Sequence, residues 1–175
     1  MFLEISVVTL GMMVSYFLTE IQLLKLNFDF LDTGVVHPDF LLIFLIFFAL
    51  YRGELVGIWV GFFAGLLMDG TLWRISEGGN YVSVIGVHAS IYSLAGFILG
   101  KMNRIFDRYR LAPLFVLVLG TGIVVRFLAW TMAGIFLEFN RSHAIVVPAL
   151  YTAVLAPIWF ALLSWVYRIQ PGEVP

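Results

Sequence analysis

The chain contains no cysteine. Disulfides, thiolate metal sites and cysteine nucleophiles are therefore excluded. Charge is scarce as well: 175 residues carry 10 basic and 11 acidic side chains, while 62% of the chain is apolar and the mean hydropathy is +1.01. A water-soluble domain of this length covers its surface with charge, whereas a bilayer asks for apolar surface outside as well as inside. The composition is that of an integral membrane protein. Catalytic signatures are missing too. There is no HExxH, no GxSxG, no Walker glycine loop and no close acid pair inside an apolar run, so neither an enzyme nor a cofactor or metal site is expected. A net charge of −1 offers nothing to nucleic acid.

Apolar runs are what the chain has in quantity. A bilayer core of about 30 Å takes roughly 20 helical residues, and no run alternates as a barrel strand would. The expected fold is an all-α transmembrane bundle forming one domain over 1–175, with helices at about 2–26, 39–51, 55–69, 81–100, 111–137 and 143–167. The first segment lacks a basic leader and a small-residue cleavage pattern, so it reads as a retained helix rather than a signal peptide. The second and third segments are short, separated by Arg52, Gly53 and Glu54. Joined as one helix they would run about 45 Å with two charges at the middle. A tight turn at Gly53 is expected instead, leaving open whether the pair crosses fully or forms a re-entrant hairpin. Six crossings place Arg52, Lys101, Arg104, Arg108, Arg110 and Arg168 on one side and only Lys25, Arg74 and Arg141 on the other. By the positive-inside rule both termini are cytoplasmic, and Asp29, Asp32, Asp39, Asp69, Glu77 and Glu138 gather outside.

Gly53, Gly57, Gly61 and Gly65 recur every four residues and make one smooth face on the third helix; Gly96 and Gly100, with Tyr92, make a weaker ridge on the fourth. Small-residue ridges let another backbone approach closely in lipid, either within the bundle or from a partner. Glu20, His88 and Arg126 fall inside spans. An unpaired arginine there costs roughly 2.5–3.5 kcal/mol by insertion scales, so Arg126 is expected to face inward, paired with Glu20 in a polar cluster that includes His88; the plainer alternatives are a structural ion pair or snorkelling. Asp39, directly after Pro38, suits a helix N-terminus. Pro148 and Pro157 are expected to bend the last helix.

The ordered set PDFLLIFLIFFALYRG, GFFAGLLMDG and IGVHASIYSLAGFILGKMN, from Pro38 to Asn103, resembles the MreD family of bacterial rod shape-determining proteins. Pro38, Asp39, Arg52, Asp69 and His88 are the motif positions; Gly53 stands where that family often has proline. The resemblance implies a six-helix bundle similar to the substrate-binding subunits of energy-coupling-factor transporters, in the inner membrane. It also implies a place in the elongation complex that builds lateral peptidoglycan, with MreC as the direct partner and a RodA-type glycosyltransferase, a penicillin-binding transpeptidase and MreB nearby. Two readings compete. One is a non-enzymatic scaffold that binds another membrane helix, and the other a small-molecule-binding or transport subunit using the polar cluster.

Overall fold

The computed structural model describes residues 2–27, 35–71, 74–75, 81–82, 85–103, 111–137 and 144–167. Six α-helices are formed among them: α1 Phe2–Glu20, α2 Phe40–Arg52, α3 Glu54–Thr71, α4 Val87–Lys101, α5 Leu111–Leu137 and α6 Val146–Val166. Two short antiparallel ladders stand between helices. Strand β1 (Leu26–Asn27) pairs with β2 (Val35–Val36), and β3 (Arg74–Ile75) with β4 (Tyr81–Val82). Asp29, Asp32, Glu77, Arg104, Arg108, Arg110, Glu138, Arg141, His143 and Arg168 lie outside the described residues.

Helix α2 is the axis of the bundle. Every residue from Phe40 to Leu50 is buried, which a helix apolar all round requires, and α1, α3, α4, α5 and α6 all pack against it. The outside of the bundle is apolar as well: Phe17, Trp59, Phe63, Leu94, Phe127, Ile158 and Trp165 are exposed. Apolar surface on both sides of the helices fits a lipid surround, not water. Among the described residues, α5 and α6 are the two helices long and apolar enough to cross a membrane.

The break between α2 and α3 is made at Gly53, whose φ of 86° is a conformation that side chains resist. Its N–H still reaches the Ala49 carbonyl at 3.1 Å while its own carbonyl accepts from Gly57 at 3.0 Å. One helix therefore ends and the next begins within a single residue.

Three boundaries correct the sequence reading. Helix α1 stops at Glu20, not near residue 26, because Ile21 turns extended and Leu26–Asn27 pairs with β2. Helix α4 starts at Val87, not Tyr81: Tyr81–Val82 joins the β3 ladder, and the helix N-terminus is held by Asp69, as described below. Pro148 lies in the first turn of α6, where no intrahelical N–H bond is lost, so Pro157 is the proline inside that helix.

Orientation is open to a direct test. In this cysteine-free chain, single cysteines at positions 53 and 103 are expected to react only after the membrane is permeabilised, and one at position 79 in intact cells. Labelling of position 103 from outside would reverse the orientation.

Candidate functional site

Two buried aspartates organise one end of the bundle. Asp39 caps α2: its carboxylate accepts from the Leu42 N–H at 2.9 Å and from the Tyr92 hydroxyl of α4 at 2.5 Å. Next to it, the Asp39 N–H donates to Thr152 of α6 at 3.1 Å, and the Phe40 N–H donates to Thr19 of α1 at 3.3 Å. Helices α1, α4 and α6 thus converge on the start of α2, where Asp39 and Thr19 satisfy its orphan donors. Pro38, before it, is buried.

Asp69, near the end of α3, serves α4 in the same way. Its carboxylate accepts from the backbone of Gly86 at 2.8 Å, His88 at 3.0 Å and Ala89 at 3.2 Å. The His88 ring meets it through Nδ1 at 2.8 Å. The carboxylate is wholly buried and the imidazole 18% exposed. A negative charge on the positive end of α4 is favourable, and the connection between α3 and α4 is locked across it.

Along the same two helices the glycines meet backbone to backbone. A Cβ built on Gly57 would stand within 3.0 Å of Gly96, one on Gly61 of Tyr92, one on Gly65 of His88, and one on Gly100 of Gly53 and Glu54. The ridge of α3 and the ridge of α4 are therefore pressed on each other, and α3–α4 is the most extensive helix pair among the described residues. Gly57, Gly61, Gly65, Gly96 and Gly100 lie in this seam rather than on an open face.

An open face does exist on the other side of α3. A groove of about 960 Å³ runs between α1 and α3, with Phe48, Val166 and Tyr167 also in its lining. Its walls are Val7, Met12 and Met13 from α1 and Val56, Trp59 and Phe63 from α3; Arg52 also lines it. The Tyr167 hydroxyl donates to the Val7 carbonyl at 3.0 Å, tying the end of α6 to α1 within the lining of the groove. Trp59 and Phe63 stack at 6.1 Å along one helix turn. Nothing in the sequence reading singled out this groove, although the Trp59–Phe63 spacing of four was the available signal.

The polar cluster is arranged differently from the expectation. Glu20 is exposed at the end of α1 and pairs with Lys25 at 3.5 Å, not with Arg126. The early end of α1 puts the glutamate at the helix terminus, where a nearby lysine reaches it first. His88 belongs to Asp69. Arg126 is half-buried on α5 and makes no hydrogen bond or ion pair among the described residues. It is within electrostatic reach of His37, whose pKa is lowered from its ordinary value by burial first and by Arg126 next, against Asp39 and Glu20. The imidazole of His37 is then neutral at neutral pH, and Arg126 and Lys25 are the cations within its reach. Among the described residues no group of three or more His, Asp or Glu side chains is placed to hold a metal ion.

Compared with known families, residues 4–168 match the family of the rod shape-determining protein MreD. No curated protein and no solved structure matches the chain.

Proposed function

The chain belongs to the MreD family of rod shape-determining membrane proteins, and from that premise we propose that it is a non-enzymatic scaffold of the cell-wall elongation complex that holds the membrane helix of MreC. A role in rod shape determination comes with the family; the binding step and the link to peptidoglycan synthesis are the proposal. In the same reading the chain is a multi-pass protein of the bacterial cytoplasmic membrane with both termini inside, near the RodA-type glycosyltransferase, the transpeptidase and MreB.

The α1–α3 groove is the observation that carries this reading. Its lining is almost wholly apolar and its length follows two helices, a shape that suits an amphipathic or apolar helix laid lengthwise. Lipid supplies no hydrophobic drive for pairing, so a partner helix gains mainly through close packing. A groove walled by Trp59, Phe63 and Met13 offers that packing, whereas the glycine seam is already occupied within the chain. The rival reading, a small-molecule or transport subunit, needs converging polar groups. Among the described residues Glu20 is paired with Lys25 and His88 with Asp69, and Arg126 bonds to neither pair.

Co-purification with tagged MreC from native membranes tests the scaffold. Met13→Trp and Val56→Trp fill the groove from opposite walls and are expected to lower MreC capture by about tenfold, the loss of one well-packed contact, with thermal stability unchanged. Undiminished capture by both variants would overturn the groove as the binding site. A tightly held metabolite in place of MreC would favour the rival.

A further inference from the structure

Arg126 lies inside the apolar span of α5 and makes no ion pair among the described residues. It stands 15 residues into α5, about 22 Å above Leu111. Helix α2 rises about 20 Å from Arg52 to Phe40, and Arg126 is within electrostatic reach of His37, which precedes that helix start. A bilayer core of about 30 Å extends beyond that level. Among the described residues the acids at this end are engaged elsewhere: Asp39 with Leu42 and Tyr92, Asp69 with His88 and the α4 backbone, Glu20 with Lys25.

Beside Arg126 on α5, Phe127 and Trp130 are 51% and 43% exposed, their rings 6.1 Å apart. Exposed tryptophan next to a cation is the pattern of a side-chain set that meets headgroups at a membrane interface, and arginine can extend its stem toward that interface with local thinning of the bilayer. We propose that Arg126 binds the phosphate of an anionic phospholipid from the leaflet at the Asp39 end of the bundle, with Phe127 and Trp130 against the acyl chains. The planar guanidinium takes two phosphate oxygens at once, which a glutamate on a passing helix can match in geometry but which lipid supplies at every encounter. This site lies on α5, on a different helix from the walls of the proposed MreC groove, and goes beyond the scaffold reading.

The probe is the purified chain reconstituted in vesicles of phosphatidylcholine and phosphatidylglycerol in equal parts, followed by native mass spectrometry of the lipid it retains. Wild type is expected to keep phosphatidylglycerol in preference to phosphatidylcholine. Arg126→Gln should reduce that retention by about tenfold, consistent with losing one charge-assisted contact, and Arg126→Lys should lie between. Equal retention of the two lipids by wild type would overturn the site without any variant. Displacement of phosphatidylglycerol by inorganic phosphate would overturn the lipid as source and leave a free anion. Loss of MreC capture in Arg126→Gln, with lipid retention unchanged, would instead assign the counter-charge to a partner's carboxylate.

Discussion

Gly61→Leu is expected to break the α3–α4 pair, costing more than about 3 kcal/mol and leaving little folded protein. Ordinary overpacking of a core costs roughly 1–3 kcal/mol because neighbouring side chains change rotamer. Here the neighbour is backbone: a Cβ on Gly61 would meet the Tyr92 carbonyl and the Ser93 nitrogen inside 3.0 Å, and backbone cannot rotate away. Both helices must separate. Doing so would pull Asp69 off the start of α4 at one end and Gly53 off Gly100 at the other, since all these contacts lie along one seam.

Even Gly61→Ala is therefore expected to be harmful, with Gly61→Leu worse. Gly120 and Gly134 on α5 are the controls, because a Cβ there has nothing within 4 Å. Gly120→Leu should leave the thermal midpoint in detergent unchanged. If Gly61→Leu melts with wild type, the seam is not close-packed and the backbone contact is disproved.

What was legible in the chain was what is local. The recurrence of glycine at every fourth position marks one helix face directly, Gly53 between two apolar runs marks a turn, and a Pro-Asp pair before an apolar run marks a helix start. Pairing across distance was not legible. Asp69 fixes where α4 begins from 17 to 20 residues away, overriding an apolar stretch that would otherwise continue the helix back to Tyr81. Glu20 could not be matched to Lys25 while α1 was expected to continue through both, because the break at Ile21 decides which side chains meet. The groove was invisible for another reason: it is a gap between α1 and α3, and periodicity describes the surface of one helix, not the spacing of two.

Asp39 carries the second large effect. Asp39→Ala removes the cap of α2, typically worth about 0.5–2 kcal/mol, and leaves the Tyr92 hydroxyl buried without its acceptor, about 1–3 kcal/mol more. Because α2 is the helix on which the other helices pack, fraying at its first turn reaches Thr152 of α6 and Thr19 of α1 through the Asp39 and Phe40 amides. A loss of about 1.5–5 kcal/mol is expected. Asp39→Asn should be far milder, since asparagine caps about as well as aspartate and the tyrosine hydroxyl can turn from donor to acceptor. Tyr92→Phe isolates the other half of the bond. In a double-mutant cycle of Asp39→Ala with Tyr92→Phe, followed by thermal unfolding in detergent, the coupling should be about 1.5–3 kcal/mol, the range of a hydrogen bond to a charged group. Strict additivity would mean that the 2.5 Å contact contributes no net stability, and that α2 is held in place by its apolar surface alone.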